Sequence, residues 1–381
     1  MSTLRPRARD IGLPLTGTPG PFNAITDVPG VEVGYSTIKV LATQPGDRQI
    51  YTGVTAVLPR GHARKPTPVF AGLFDFNGNG EITGSHWITD AGYFTGPICL
   101  TNTHSVGMTH HATVGWMIDQ YGEHYQKHHA WAMPVVAETY DGMVNDICGR
   151  HIEERHVREA LDGARSGKLE EGNVGGGAGN RTYEFKGGTG TSSREVVLGS
   201  HQYTVGTLVQ SNFGARSELR VLGVPVGRHM TEDLINDDDT GRELGSIIVL
   251  IATDAPLNAT QLHRVAKRGA IGIARTGTSG GHYSGDLMLA FSVANEVYMP
   301  AIGEPQPHSF HGEWLNDAHL DDIYRATVDA VEEAVLNAMI AAESVPTIKP
   351  AGATLKAINH AKLMALMRQY GHQPTHTGPK R

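Results

Sequence analysis

Short apolar runs separated by Gly-rich turns fill the first half of the chain. VTAVLP (54–59), VFAGLFDF (69–76), PICLTN (97–102) and MPVVAETY (133–140) have the length and the flanking turn formers of buried strands. Between the last two, HHATVGWMIDQYGEHY (110–125) brings Val114, Met117, Ile118 and Tyr121 round at helical spacing. HVREALDGARSG (156–167) predicts a shorter helix stopped by Gly. Residues 172–194, GNVGGGAGNRTYEFKGGTGTSSR, hold too much Gly for a helix and predict turns with at most a hairpin. YTVGTLVQSN (203–212) and LRVLGVPVG (219–227) predict strands again. The polar, acidic stretch HMTEDLINDDDTGRELG (229–245) predicts an exposed loop of the composition at which chains are nicked. It runs straight into SIIVLIATDAPL (246–257), the strongest buried-strand signal in the sequence.

The last third alternates in the same way. NATQLHRVAKRG (258–269) opens on a helix-capping Asn. LMLAFSVAN (287–295) predicts a strand. DDIYRATVDAVEEAVLNAMIAAE (321–343) predicts a long helix with Tyr324, Val328, Val331, Val335 and Met339 on one stripe and acids at its start. TLKAINHAKLMALMRQYG (354–371) predicts a closing helix, and residues 1–30 an irregular Pro/Gly-rich arm. Strands and helices do not follow strict βαβ alternation, which favours α+β layering over a doubly wound parallel sheet.

Composition narrows the function classes. The 381 residues are 39% hydrophobic and 19% charged, a globular balance that fits two domains or one large layered unit. The net charge of −7 argues against a nucleic-acid partner, which would want a basic stripe. No apolar run approaches the ~18 residues of a membrane span, and the first residues lack the apolar segment of a secretory signal. Two cysteines, Cys99 and Cys148, each follow an Ile and are expected as buried free thiols. These features together predict a cytoplasmic location.

The junction of the polar loop with the apolar strand carries the candidate chemistry. Breaking the Gly245–Ser246 bond would make Ser246 a chain terminus, with its α-amino group beside its own hydroxyl. Such an amine has a pKa near ~7.7–8.0, so one residue would supply nucleophile and base. Gly245 has no Cβ and can take the backbone conformation that lets the hydroxyl reach the carbonyl behind it. Taken alone, Gly-Ser ahead of a strand reads as an ordinary strand start.

Many segments, in one order along the chain, change that reading. AITDVPGVEVG (24–34), FNGNGEITGSHWI (76–88), TNTHSVGMTHHATV (101–114), MPVVAETYDGMVNDI (133–147), EGNVGGGAG (171–179), LVQSNFG (208–214), GSIIVLIATDAPL (245–257) and SGDLMLAFSVAN (284–295) resemble the self-processing N-terminal-serine family of L-aminopeptidase/D-Ala-esterase/amidases and β-peptidyl aminopeptidases. The resemblance implies an αββα sandwich, with residues 1–245 and 246–381 as cleavage products that remain one catalytic unit. It implies Ser246 as nucleophile freed by cleavage after Gly245, and Asn212 as oxyanion donor. Ser284 and Asp286 match the pair completing the proton network. Glu138 matches the anchor of the substrate's amino group, and Tyr140 the hydroxyl that assists at the tetrahedral intermediate. It further implies no cofactor, a small peptide, amide or ester substrate with a free amino group, and a homotetramer of processed heterodimers. β-Amino acyl substrates are the alternative to α-amino acyl ones. Gly281-His282-Tyr283 and the loop 229–244 depart from the family pattern, which leaves the side-chain preference open.

Three rival readings are weaker. His124 and His128 stand four apart and His104, His110 and His111 lie near in sequence, yet no HExxH or other complete zinc pattern occurs among the 20 histidines. EGNVGGGAGN lacks the GK[ST] ending of a phosphate loop and predicts close backbone packing beside the site. GTSGG (277–281) matches a nucleophile elbow around Ser279, but the chain continues into a strand, where an elbow needs a helix.

Overall fold

A computed structural model describes residues 5–42, 47–235, 245–297, 299–300 and 302–373. The chain runs through β1 (Glu32–Val40), β2 (Ile50–Leu58), β3 (Val69–Gly78), α1 (Ser85–Ala91), β4 (Tyr93–Phe94), β5 (Ile98–Asn102), α2 (Val106–Gln120), α3 (Gly122–Lys127), β6 (Val135–Thr139) and α4 (Glu154–Asp162). It continues with β7 (Arg181–Thr182), β8 (Phe185–Lys186), β9 (Gly188–Leu198), β10 (His201–Asn212), β11 (Ser246–Thr253), α5 (Ala259–Arg275) and β12 (Gly285–Ser292). It closes with α6 (Leu320–Ile340), β13 (Val345–Ile348), β14 (Ala351–Leu355) and α7 (His360–Gln369).

The strands form a four-stranded sheet in the order β1-β2-β5-β6 and a six-stranded sheet in the order β4-β3-β12-β11-β10-β9. The inner faces meet in one apolar layer: Val57, Ile98 and Val135 of the small sheet pack with Leu208, Ile248, Leu250, Leu289 and Phe291 of the large one. On the outer face of the large sheet, Val249, Ile251 and Met288 pack with Leu262 and Val265 of α5 and Val331 and Val335 of α6. On the outer face of the small sheet, Val54, Cys99 and Val136 meet Trp116 of α2 and Leu161 of α4. The layers are α, β, β, α, and the fold is α+β, as the sequence implied.

β11 shows why its sequence is apolar without alternation. Side chains of a strand point to opposite faces in turn. Ile247, Val249 and Ile251 enter the helix-side core, and Ile248 and Leu250 enter the layer between the sheets. All are fully buried. At ~1.5–3 kcal/mol for each such side chain, these five contribute roughly 10 kcal/mol.

Several expectations need correction. The Gly-rich segment 172–194 does hold a hairpin, β7 paired with β8, but it also contains most of β9, an eleven-residue strand that was not expected. Gly190 explains it: a Cβ there would strike the Ala334 carbonyl, so glycine in this strand lets α6 lie directly on the sheet. Residues 219–227 are not a strand, because Leu222 and Gly223 take positive φ and turn the chain, leaving only the bridge between Val221 and Val224. In α2 the buried side is Thr109, Ala112, Thr113, Trp116 and Met117, and Ile118 is exposed. α6 buries more than one stripe, since the irregular arm covers it: Arg9 pairs with Glu333, and the Ala8 N–H donates to Asn337 Oδ1. Residues 354–371 begin with the end of β14, and the helix starts at His360. Cys99 is buried as expected, but Cys148 is exposed, on a single turn at Ile147–Gly149. Residues 236–244 of the expected loop lie outside the described residues.

Candidate active site

Ser246 is the first residue of β11, flanked by the end of β10 and the start of β12. The antiparallel register sets it opposite Asn212, and the parallel register sets it beside Gly285. Its Oγ donates to the Gly245 carbonyl oxygen at 2.7 Å. The Gly285 N–H donates to that same oxygen at 3.2 Å. The carbonyl behind the serine is therefore held and polarised from two sides. A Cβ on Gly245 would overlap the Asn212 carbonyl, so only glycine fits this approach.

Asn212 ends β10 and is nearly buried. Its Oδ1 accepts the Arg181 N–H at 2.8 Å, which fixes the amide orientation and leaves Nδ2 as the donor. Ser284 and Asp286 are fully buried at the head of β12. The Ser284 hydroxyl donates to Asp286 Oδ1 at 2.6 Å, and Asn77 Nδ2 donates to Oδ2 at 3.0 Å. This pair forms a braced network on the strand next to Ser246, with Gly285 between its two members.

Glu138 arrives from the other sheet, near the end of β6. Its Oε1 accepts the Glu81 N–H at 3.1 Å, and its Oε2 accepts the Thr103 hydroxyl. Burial holds this carboxyl above its usual range, while those two hydrogen bonds pull it back. Tyr140 stands one residue beyond β6, half exposed, with its ring edge-on to His104. Ser246, Gly245, Asn212, Glu138 and Tyr140 all line one cavity of about 530 Å³. Glu138 and Tyr140 thus share a side, as their spacing predicts. Ser284 and Asp286 do not line it and stand behind the strand ends.

Sequence reasoning passed over Thr103, Asn77, Arg181, Met143 and Lys349. Thr103 and Asn77 lay inside the quoted segments TNTHSV and FNGNG, with polar side chains at strand ends as the available signal. Met143 lay inside the quoted segment MPVVAETYDGMVNDI, shortly after Tyr140, whereas Arg181 and Lys349 carry no local signal, because only the fold brings them to the cavity. The glycine run 175–179 packs between the sheets as expected, and Gly179 lines the cavity. Ser279 donates to Glu218 on an irregular turn that leads into β12, so it is no elbow. Among the described residues no three His, Cys, Asp or Glu side chains gather as a metal site, and no helix is long and apolar enough to cross a membrane.

An intact chain with this geometry has a serine hydroxyl but no amine beside it, since the Ser246 nitrogen is an amide. Cleavage at Gly245 would create the amine. A nucleophile, an amide donor and a buried carboxylate then surround a cavity sized for a small molecule.

Known proteins resemble this chain over nearly its whole length. Residues 23–351 match peptidase family S58. The β-peptidyl aminopeptidase BapA of Sphingosinicella microcystinivorans is 44% identical over 380 residues, 96% of this chain and 92% of that protein. The β-peptidyl aminopeptidase BapA of Sphingosinicella xenopeptidilytica is 40% identical, over 95% of this chain and 91% of that protein. Among solved structures, the L-aminopeptidase D-Ala-esterase/amidase from Ochrobactrum anthropi, described as a variant of the Ntn-hydrolase fold, superposes with a TM-score of 0.90 at 52% identity. That match covers 96% of this chain and 99% of the other.

Proposed function

The chain belongs to peptidase family S58 and is a serine-type aminopeptidase, and from that premise we propose that it cleaves itself after Gly245 and works through the freed Ser246. The observation that carries this is the Gly245 carbonyl, held between the Ser246 hydroxyl and the Gly285 N–H at the wall of the cavity.

Self-cleavage begins when Ser246 Oγ attacks the Gly245 carbonyl carbon and loses its proton. The Gly285 N–H stabilises the oxyanion, a use of preorganised donors that commonly supplies ~2.7–4 kcal/mol. Collapse breaks the peptide bond, the nitrogen gains a proton, and an ester joins Gly245 to Ser246 Oγ. Water hydrolyses that ester. It leaves a carboxylate on Gly245 and a free amine and hydroxyl on Ser246. Residues 1–245 and 246–381 stay associated, because β11 remains between β10 and β12.

In the mature enzyme the substrate's ammonium binds Glu138, a charge-assisted contact that lowers the carboxyl's raised pKa. Ser246 Oγ attacks the carbonyl of the amino-terminal residue while its own α-amine takes the proton. Asn212 Nδ2 and the Tyr140 hydroxyl face the developing oxyanion. The amine returns the proton to the leaving group, and water then resolves the acyl-enzyme. Asp286 and Asn77 brace Ser284, whose oxygen keeps lone pairs free to orient the Ser246 proton. The substrates are small peptides, amides and esters with a free amino group. A β-amino acyl preference is the second reading, favoured by the two β-peptidyl aminopeptidase relatives.

The test is Ser246→Ala. Intact-mass measurement should show two pieces dividing at Gly245–Ser246 for the wild type. The variant should remain one piece without aminopeptidase activity. A wild-type preparation fully active while uncleaved refutes the mechanism.

A further inference from the structure

The walls of the catalytic cavity are charged unevenly. Among the described residues, Glu138 is the one acidic side chain lining it, and Arg181 and Lys349 are its two cations. Glu138 is bound through Glu81 and Thr103, on the β5–β6 side. Arg181 is joined to the oxyanion side by its main-chain bond to Asn212. Lys349, in the turn between β13 and β14, is tied by its N–H to the carbonyl of Met143, itself a lining residue. Ser246 lines the same cavity, and a leaving group that carries a carboxylate is drawn by charge to the two cations rather than to the acid.

We propose that Lys349 and Arg181 receive the free carboxylate of the leaving residue, so that the preferred substrates are zwitterionic dipeptides rather than amino acyl amides or esters. The inference rests on the aminopeptidase reading above and adds the leaving-group class to it. Length agrees: two extended residues span roughly 7 Å, and a cavity of about 530 Å³ holds a molecule of that size with room to spare. Chemistry agrees as well. A guanidinium offers a planar fork that matches a carboxylate, and an ammonium adds a mobile point charge. An amide or ester has the ammonium for Glu138 but no carboxylate for the cations. Because the carboxylate lies beyond the scissile bond, it is bound equally in ground and transition states, and the effect belongs in KM.

The experiment compares a dipeptide with its C-terminal amide, using full-length self-processed enzyme and variants checked for cleavage by intact mass. The wild type should prefer the acid by about fivefold or more in kcat/KM, mainly through KM, and added salt should erode that ratio. Lys349→Met should bring the ratio towards one, and Lys349→Glu should invert it in favour of the amide. Equal kcat/KM for acid and amide in the wild type overturns the proposal, as does a Lys349→Glu enzyme that keeps the wild-type ratio. Failure of cleaved wild-type enzyme to hydrolyse either compound overturns the aminopeptidase reading itself, and this inference with it.

Discussion

Gly245→Ala places one methyl group where self-cleavage is most tightly set. The added Cβ would stand 2.0 Å from the Asn212 carbonyl oxygen and 2.9 Å from Phe213 Cα, where ordinary contact begins near 3.4 Å. These are backbone atoms of β10 and cannot rotate away, so the Gly245 main chain must move by about 1 Å. That motion takes the scissile carbonyl off the Gly285 N–H and away from Ser246 Oγ. A misplacement of ~1 Å commonly costs about 100-fold in rate, and overpacking of this kind costs ~1–3 kcal/mol of stability. The assay is a time course of intact mass on freshly purified chain. Ser246→Ala, which cannot cleave, serves as the reference for the thermal melt of the precursor. Gly245→Ala should accumulate as full-length protein, cleave about 100-fold more slowly than the wild type, and melt a few degrees below Ser246→Ala. Cleavage at a rate within about threefold of the wild type would refute the claim that this carbonyl is positioned for attack.

Two further changes test other parts of the site. Asn212→Ala removes the Nδ2 donor, so kcat on an amino acyl anilide should fall by about 10²–10³ with little change in KM for the fraction shown by mass to be cleaved; an effect confined to KM would reject its oxyanion role. Burial pushes the Asp141 carboxyl, next to Tyr140, up to about 7 from 3.8, against hydrogen bonds from Thr52 and Asn145 and the charge of Lys186. The folded chain therefore holds that proton more tightly than the unfolded chain, and stability falls as pH rises from ~4 to ~7, by roughly 4 kcal/mol at most. Lys186, buried nearby with its ammonium well below the usual range, drives the opposite trend. The readout is thus the difference between the wild type and Asp141→Asn: the variant's melting temperature should gain on the wild type from pH 5 to pH 8, and a constant difference would reject the buried charge as its cause.

Different parts of the molecule were unequally legible in the sequence, for physical reasons. β11 could be read directly because both its faces are buried, which demands an unbroken apolar run. β9 could not, because its glycines are there for the approach of α6, and a propensity argument sees only the glycines. Residues 219–227 look like a strand by composition, yet the left-handed pair Leu222 and Gly223 folds them back. At the site, the strand ends that carry Ser246, Asn212, Ser284 and Glu138 were found through whole-chain resemblance. The reason for their convergence is register: Asn212 and Gly285 are the two residues paired with Ser246. Lys349 comes from a hairpin more than a hundred residues from Ser246 and reaches the cavity only through the folded β13–β14 turn.

That register also suits the proposed self-cleavage to the head of this particular strand. A cut inside a sheet normally loosens the strand it frees. Here the bond lies one residue outside the ladder, and the hydrogen bonds recorded for the Gly245 carbonyl come from Ser246 itself and from Gly285. Cleavage forfeits about one main-chain hydrogen bond, worth ~0.5–1.5 kcal/mol. Against it stand the five apolar side chains of β11, roughly 10 kcal/mol, none of which moves. The amine made by the proposed cleavage would therefore stand on a strand fixed between β10 and β12, with Asn212 on one side and the Ser284–Asp286 pair on the other. A serine placed two residues further along would put the cut within the paired core of the sheet. The head of the central strand satisfies both the need to cut and the need for rigidity.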